Sequence, residues 1–303
     1  MLSESFLRSL YALSVASAKR RSGTLTGERR STRRGRSLEF ADYRSYTPGD
    51  DPRRVDWNVY ARLEKAFIKL YEDEQEINVH ILLDASPSML WREETEEHSS
   101  KWIRAAQVAI AIGAIALASG DRLTLELSTR ERFGPKRGAS STTGLITFME
   151  QRTRELETRD WRAHGLQTPG LGLNPWWRRY AMDAQPGICI LITDMLDPEG
   201  YGDGLNALGA NRQDVRLLHL LCPSELEPDL AGDLRLKDIE TGAVQDVSLD
   251  EATLRQYRER LEDWSRQIAE ACRKRGGRYF RVDTSTPVEQ IILRDLRRAG
   301  WLV

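Results

Sequence analysis

Cysteine is scarce in this 303-residue sequence: Cys189, Cys222 and Cys272 are its only three, widely spaced and mostly in apolar surroundings. Such spacing excludes a disulfide framework or a CxxC metal knuckle and marks the thiols as core residues of a protein kept in a reducing compartment. Histidine is as sparse, and His80, His98, His164 and His219 form no metal-ligand spacing. Long apolar runs are missing as well. The most apolar stretch, Ala105 to Ala118, is interrupted by Gln107 and falls short of the ~20 residues needed to span a bilayer, so it reads as a buried helix and no transmembrane segment is expected. Met1 to Arg21 carries Leu2, Phe6, Leu7, Leu10 and Leu13 at helical spacing but no long apolar region and no clean cleavage site, so no signal peptide is expected. Net charge is also lacking. With 45 basic against 46 acidic residues, the chain as a whole does not coat nucleic acid or membrane, and a cytoplasmic location is expected. No internal repeat appears.

What is present changes character along the chain. From Lys19 to Arg36, seven arginines stand among Gly and Ser against the lone Glu28, the composition of an exposed arm. No aromatic residues interleave there for base stacking, so a solvated tail is the plainer reading; the other is contact with phosphate or acidic protein. Leu38 to Glu76 mixes Phe40, Tyr43, Tyr46, Trp57 and Tyr60 with charges around a Pro48-Gly49-Asp50-Asp51-Pro52 turn, as an ordered piece would. Ile77 to Asp84 then reads as a strand, followed by an acidic loop (Glu93, Glu94, Glu96, Glu97) and a helix capped near Ser99 or Ser100. Strands are expected at Arg122–Leu127, Gly187–Asp194, Arg216–Leu221 and Arg278–Asp283. Helices are expected at Thr142–Leu156, Gly204–Asn211, Glu251–Arg275 and up to Ala299, with a hairpin around Glu240-Thr241-Gly242. Strands alternating with helices imply a mostly parallel sheet covered on both faces. The Trp176-Trp177 pair and the stripe Leu254, Tyr257, Leu261, Trp264, Ile268 read as helix packing.

Two aspartates, Asp84 and Asp194, end apolar strands, where open α/β sheets bind their ligands. Asp84, Ser86 and Ser88 offer a carboxylate and two hydroxyls two residues apart, a set of hard oxygen donors suited to magnesium. Asp-x-Ser-x-Ser after a first buried strand resembles the metal-ion-dependent adhesion site of von Willebrand factor A domains. That resemblance implies two further ligands from later loops. Asp194 matches the third loop; Thr168 matches the second better than Thr142 or Thr143, which another helix separates from it. Residue by residue, Thr168 also has the plainer reading of a helix-capping hydroxyl. Upstream, the segment from about Gly27 to Met89 resembles the DUF58 family, as does the C-terminal stretch Tyr257 to Leu302. Arg34, Gly35, Glu39, Tyr43, Arg44, Gly49, Asp50, Arg53, Asp56, Trp57 and Arg62 carry the upstream signature.

Together these imply an α/β, Rossmann-like, von Willebrand A-type fold: a mostly parallel sheet flanked by helices, with an N-terminal extension. The expected division is residues 1–36 as helix and basic arm, 37–76 as the signature segment packed on the main domain, and 77–303 as the main domain. The expected activity is non-enzymatic: binding a partner protein's carboxylate through a divalent cation, Mg²⁺ first, with Mn²⁺ or Ca²⁺ as alternatives. The DUF58 resemblance implies a MoxR-type AAA+ ATPase as partner in assembly. The rival is a Mg²⁺-dependent phosphoryl-transfer enzyme with Asp84 as nucleophile, but such enzymes usually carry a second aspartate where Ser86 stands. A serine hydrolase fits less, because Ser86 lacks a Gly-x-Ser-x-Gly elbow. A third alternative makes the basic arm a binder of nucleic acid or an acidic membrane surface.

Overall fold

Apolar residues at helical spacing near the N-terminus form α1 (Glu4–Leu10), capped by the Ser3 hydroxyl, which accepts from the Phe6 amide. The computed structural model describes residues 2–17, 39–72, 76–90, 100–158, 172–239 and 242–303. The chain divides into a smaller unit, residues 16–76, and a larger one, residues 1–15 with 77–303. Phe6, Leu10 and Val15 are buried in the main apolar cluster of the larger unit, and Val15 pairs with Leu302. The first helix therefore groups with the main domain rather than with the arm, because its apolar face can join a core and an arginine-rich segment cannot.

In the smaller unit, β1 (Glu39–Ser45) and β2 (Phe67–Glu72) pair antiparallel around α2 (Trp57–Leu63). Asp56 caps that helix, its carboxylate accepting from the Asn58 and Val59 amides. Gly49 sits at φ +110° in the Pro48-Gly49 turn, a conformation glycine adopts without strain.

The larger unit runs β3 (Asn78–Leu83), α3 (Lys101–Ala118), β4 (Arg122–Leu127), β5 (Arg132–Lys136), α4 (Thr142–Thr158), α5 (Leu173–Asp183), β6 (Ile188–Thr193), α6 (Gly202–Ala210), β7 (Asp214–Leu221) and α7 (Pro223–Leu226). It continues through β8 (Gly232–Lys237), β9 (Val244–Leu249), α8 (Glu251–Arg273), β10 (Arg278–Asp283) and α9 (Val288–Gln290), which leads into a π-helical segment, Ile291–Leu296. Six strands form one sheet in the order β10-β7-β6-β3-β4-β5. Every neighbouring pair is parallel except β4 and β5. The edge strand β5 has no counterpart in the sequence reading, since Gly134-Pro135 in its middle disguises it, and an edge is where a strand tolerates proline. The expected hairpin appears as β8 paired with β9; Glu240 and Thr241 of its turn lie outside the described residues.

Alternation along β3 divides the core. Val79, Ile81 and Leu83 join α1, α3, α4 and the C-terminal segment, whereas Leu82 joins α5, α6 and α8 on the other face. Helix α3 is apolar on nearly every side because sheet, α4, α1 and the C-terminal segment surround it. Among the described residues it is the one helix long and apolar enough by composition to cross a membrane, and 78% of it is buried within the protein. Trp176 and Trp177 are fully covered on α5, as expected, and so are the three cysteines. The stripe on α8 is buried at Ile268 but reaches solvent at Tyr257.

Strand order sets where a ligand site is favoured. From β3 the chain passes through α3 to β4 on one side, while β6 lies on the other side and leads away to β7 and β10. The order thus reverses between β3 and β6, and at such a switch point the loops beyond the strands' carboxyl ends diverge and leave room for a ligand.

Candidate functional site

Asp84 and Asp194 follow the last residues of β3 and β6, the two strands that flank the switch point. The Asp84 amide donates to the Ile192 carbonyl at 2.9 Å, which extends the ladder one step past β3. Beyond it the chain turns. Asp84 Oδ1 accepts from the Ser86 amide at 3.0 Å, and Asp194 Oδ1 accepts from the Leu196 amide at 3.1 Å, so both aspartates shape their loops in the same way. Met195 adopts φ +62°, costly for a side chain of its size, and is held there by burial and by its amide's 2.9 Å bond to Thr193 Oγ1.

The Asp84 loop is anchored from several sides. The Ala85 amide donates to Ser128 Oγ at 2.9 Å, Met89 is buried in the main cluster, and Ser88 begins a single 3₁₀ turn through Leu90. This arrangement brings the Ser86 and Ser88 hydroxyls together, hydrogen-bonded to each other at 3.0 Å. Asp84 Oδ2 accepts from Thr193 Oγ1 at 2.7 Å, a link across the switch point. Burial first, and then the neighbouring Asp194 charge, push the Asp84 carboxyl well above the ordinary carboxylate range, against the hydrogen bonds from Thr193 and Ser86.

Opposite this loop stands Lys101, the first residue of α3. Its ammonium is buried and donates to Asp194 Oδ2 at 2.7 Å and to Glu225 Oε1 at 2.6 Å. Glu225 Oε2 in turn accepts from the Cys222 amide at 2.8 Å, which fixes the carboxylate at the start of α7. Burial works against the lysine's charge, but Asp194 and then Glu225 outweigh it and raise its affinity for the proton. Behind Asp194, the buried His219 ring bonds the Asp194 carbonyl at 3.1 Å and the Tyr279 hydroxyl at 2.8 Å.

Four of the five residues read from the sequence as metal ligands lie at the two strand ends that flank the switch point: Asp84, Ser86 and Ser88 on one loop, and Asp194 after the neighbouring strand. Thr168 lies outside the described residues, as does the acidic loop from Glu93 to Glu97. Thr193, Ser128, Lys101 and Glu225 were missed. Thr193 adjoins Asp194 and Lys101 follows the helix cap, so position hinted at both; nothing local distinguishes Glu225. The donor set is carboxylate and hydroxyl, and among the described residues no three His, Cys, Asp or Glu side chains group as a metal centre. An octahedral ion with bonds of about 2.1 Å sets neighbouring oxygens about 3 Å apart, the spacing of the two serine hydroxyls.

The signature residues lie in the smaller unit. Tyr43 Oη donates to Asp56 Oδ2 at 2.9 Å, and Arg44 pairs with Asp50 at 2.8 Å. The Arg44 guanidinium and the Thr47 amide hold the Asp50 carboxyl down to about 2. Trp57 is exposed and packs edge-on against Tyr60, and Arg53 and Arg62 are exposed. Glu39 opens β1, while Arg34 and Gly35 lie outside the described residues. Of these charges, Asp56 caps a helix and Asp50 closes a turn.

Fold and site together define an α/β protein whose strand-order switch carries two buried aspartates and a loop with two serine hydroxyls. The family described as "Protein of unknown function DUF58" matches residues 42–267, and this chain belongs to it. Uncharacterised proteins of Mycobacterium tuberculosis and Mycobacterium bovis are each 27% identical to it over 243 residues, 80% of this chain and 74% of theirs. An aerotolerance-related membrane protein from Bacteroides fragilis superposes with a TM-score of 0.42 at 18% identity, over 73% of this chain and 99% of that one. The conserved hypothetical protein BatB from Bacteroides thetaiotaomicron gives 0.41 at 19%, over 73% and 98%.

Proposed function

We propose that this chain is a non-enzymatic, divalent-metal-dependent protein-binding module, a von Willebrand factor A-like domain with a metal-ion-dependent adhesion site. In this reading Asp84, Ser86 and Ser88 hold the ion, Asp194 supports it from the neighbouring strand end, Thr168 serves from the second loop, and a carboxylate of the partner completes the shell. Mg²⁺ is the expected ion, with Mn²⁺ and Ca²⁺ next. The carrying observation is the pair of serine hydroxyls 3.0 Å apart on the loop that Asp84 shapes, at the switch point of the sheet. Resemblance within the family extends the proposal to a cytoplasmic adaptor or assembly factor that works with a MoxR-type AAA+ ATPase.

Phosphoryl transfer through Asp84 fits less well. Such enzymes usually carry a second aspartate two residues after the nucleophile, and here that position is Ser86. The deciding experiment titrates Mg²⁺ into wild type and Asp84→Ala by calorimetry, and captures the MoxR-type ATPase in Mg²⁺ and in chelator. Binding and capture are expected in wild type with Mg²⁺ alone; an Asp84→Ala protein that retains both rules the reading out.

A further inference from the structure

Lys101 occupies a costly position. A cation in the first turn of a helix opposes the macrodipole, and burying it removes its hydration. Both costs are offset here by two carboxylates from different elements, Asp194 after β6 and Glu225 on α7, at 2.7 and 2.6 Å. A structural role for the side chain would be met as well by an apolar residue of similar volume, which needs no such arrangement. The charges of the crevice also matter. Asp84, Asp194 and Glu225 carry three negative charges when ionised, Lys101 returns one, and the balance of two matches a divalent ion.

We propose that Lys101 is a tethered cation that competes with the divalent ion for the negative charge of Asp194 and so limits the affinity of the site. This rests on the metal-binding reading above and adds its regulation. Asp194 does not need the lysine for its orientation: the Leu196 amide holds Oδ1 and His219 holds the Asp194 carbonyl. Removing the ammonium therefore leaves the carboxylate in place and its charge unshared, and the charge effect outweighs any loss of positioning. A site with a built-in competitor holds its ion loosely until another interaction strengthens it. The incoming carboxylate of a partner supplies that interaction, so metal and partner bind together more tightly than either does alone.

The test titrates Mg²⁺ by calorimetry into the full chain and its Lys101→Met and Glu225→Gln variants, with Asp84→Asn as the control for the site. Lys101→Met is expected to bind Mg²⁺ at least tenfold more tightly than wild type and to melt at a lower temperature in chelator. Glu225→Gln, which removes one negative charge and leaves Asp194 more fully paired with the lysine, is expected to bind at least threefold more weakly. If Lys101→Met binds no more tightly while Asp84→Asn abolishes binding, the lysine's role is overturned and the metal site stands. If neither wild type nor Lys101→Met binds, both readings fall together. Should Lys101→Met not fold, Glu225→Gln decides, and equal or tighter binding by that variant overturns the proposal.

Discussion

Thr193 carries more of the crevice than its position in an apolar strand suggests. Its hydroxyl donates to Asp84 and accepts from the Met195 amide, so it joins two strand ends and stabilises the left-handed residue after Asp194. Thr193→Val keeps the shape, removes both bonds and leaves a buried amide without its acceptor, and a loss of about 1–3 kcal/mol is expected in denaturant melts. The two described histidines are the other instructive residues. His80 Nε2–H donates to the Gln185 carbonyl and Nδ1 accepts from the Tyr180 hydroxyl, and His219 repeats the pattern with Asp194 and Tyr279. Burial lowers the proton affinity of both, that of His219 to about 4. These two imidazoles bind fewer protons in the folded chain than in the unfolded one and by themselves lower stability as pH drops below about 6.5, whereas the raised Asp84 carboxyl takes up its proton earlier in the folded chain and works in the opposite sense. As pH is taken from 7.5 to 5, His80→Gln is expected to lose less melting temperature relative to its value at pH 7.5 than wild type does; equal slopes would remove His80 from the account.

At the scale of elements, close approach of backbones fixes the register that sets Asp84 level with Thr193 and Asp194 one residue further on. Gly187, the residue before β6, lies so near to β3 that a Cβ there would sit 2.2 Å from the Asn78 carbonyl oxygen. Backbone cannot yield as a side-chain tip can, and Gly187→Ala is expected to cost about 1–3 kcal/mol through forced separation of the strands. An unchanged unfolding midpoint would show that the pair can part without cost. Apolar runs made β3, β6 and β7 legible, because a strand buried on both faces must be apolar throughout, and alternation made β4 legible. The edge strand β5 was illegible for the complementary reason: it has one neighbour, is partly exposed, and needs neither apolar continuity nor every amide.

Across the whole molecule, the N-terminal helix shows how far burial overrides position in the chain. Leu10 is fully covered, and Leu10→Ala is expected to cost about 2–5 kcal/mol by chemical denaturation; no change would return α1 to the arm. Ligand linkage gives a second global measure. If the crevice holds Mg²⁺, a concentration 100-fold above Kd stabilises the fold by about 2.7 kcal/mol, and chelator is expected to lower the melting temperature of wild type but not of Asp84→Ala. The sequence by itself determined the βα alternation, the apolar strands, the core placement of Trp176, Trp177 and the cysteines, and the hydroxyls of Ser86 and Ser88 on the loop after Asp84. These are local matters, set by periodicity and turn chemistry within a few residues. Only the tertiary structure decided that the strand order reverses between β3 and β6, that Thr193 bonds Asp84 across that gap, and that Lys101 stands between Asp194 and Glu225. The reason is physical: Lys101 and Glu225 are 124 positions apart, and no local pattern records which distant charges the packing of the sheet will bring within hydrogen-bonding reach.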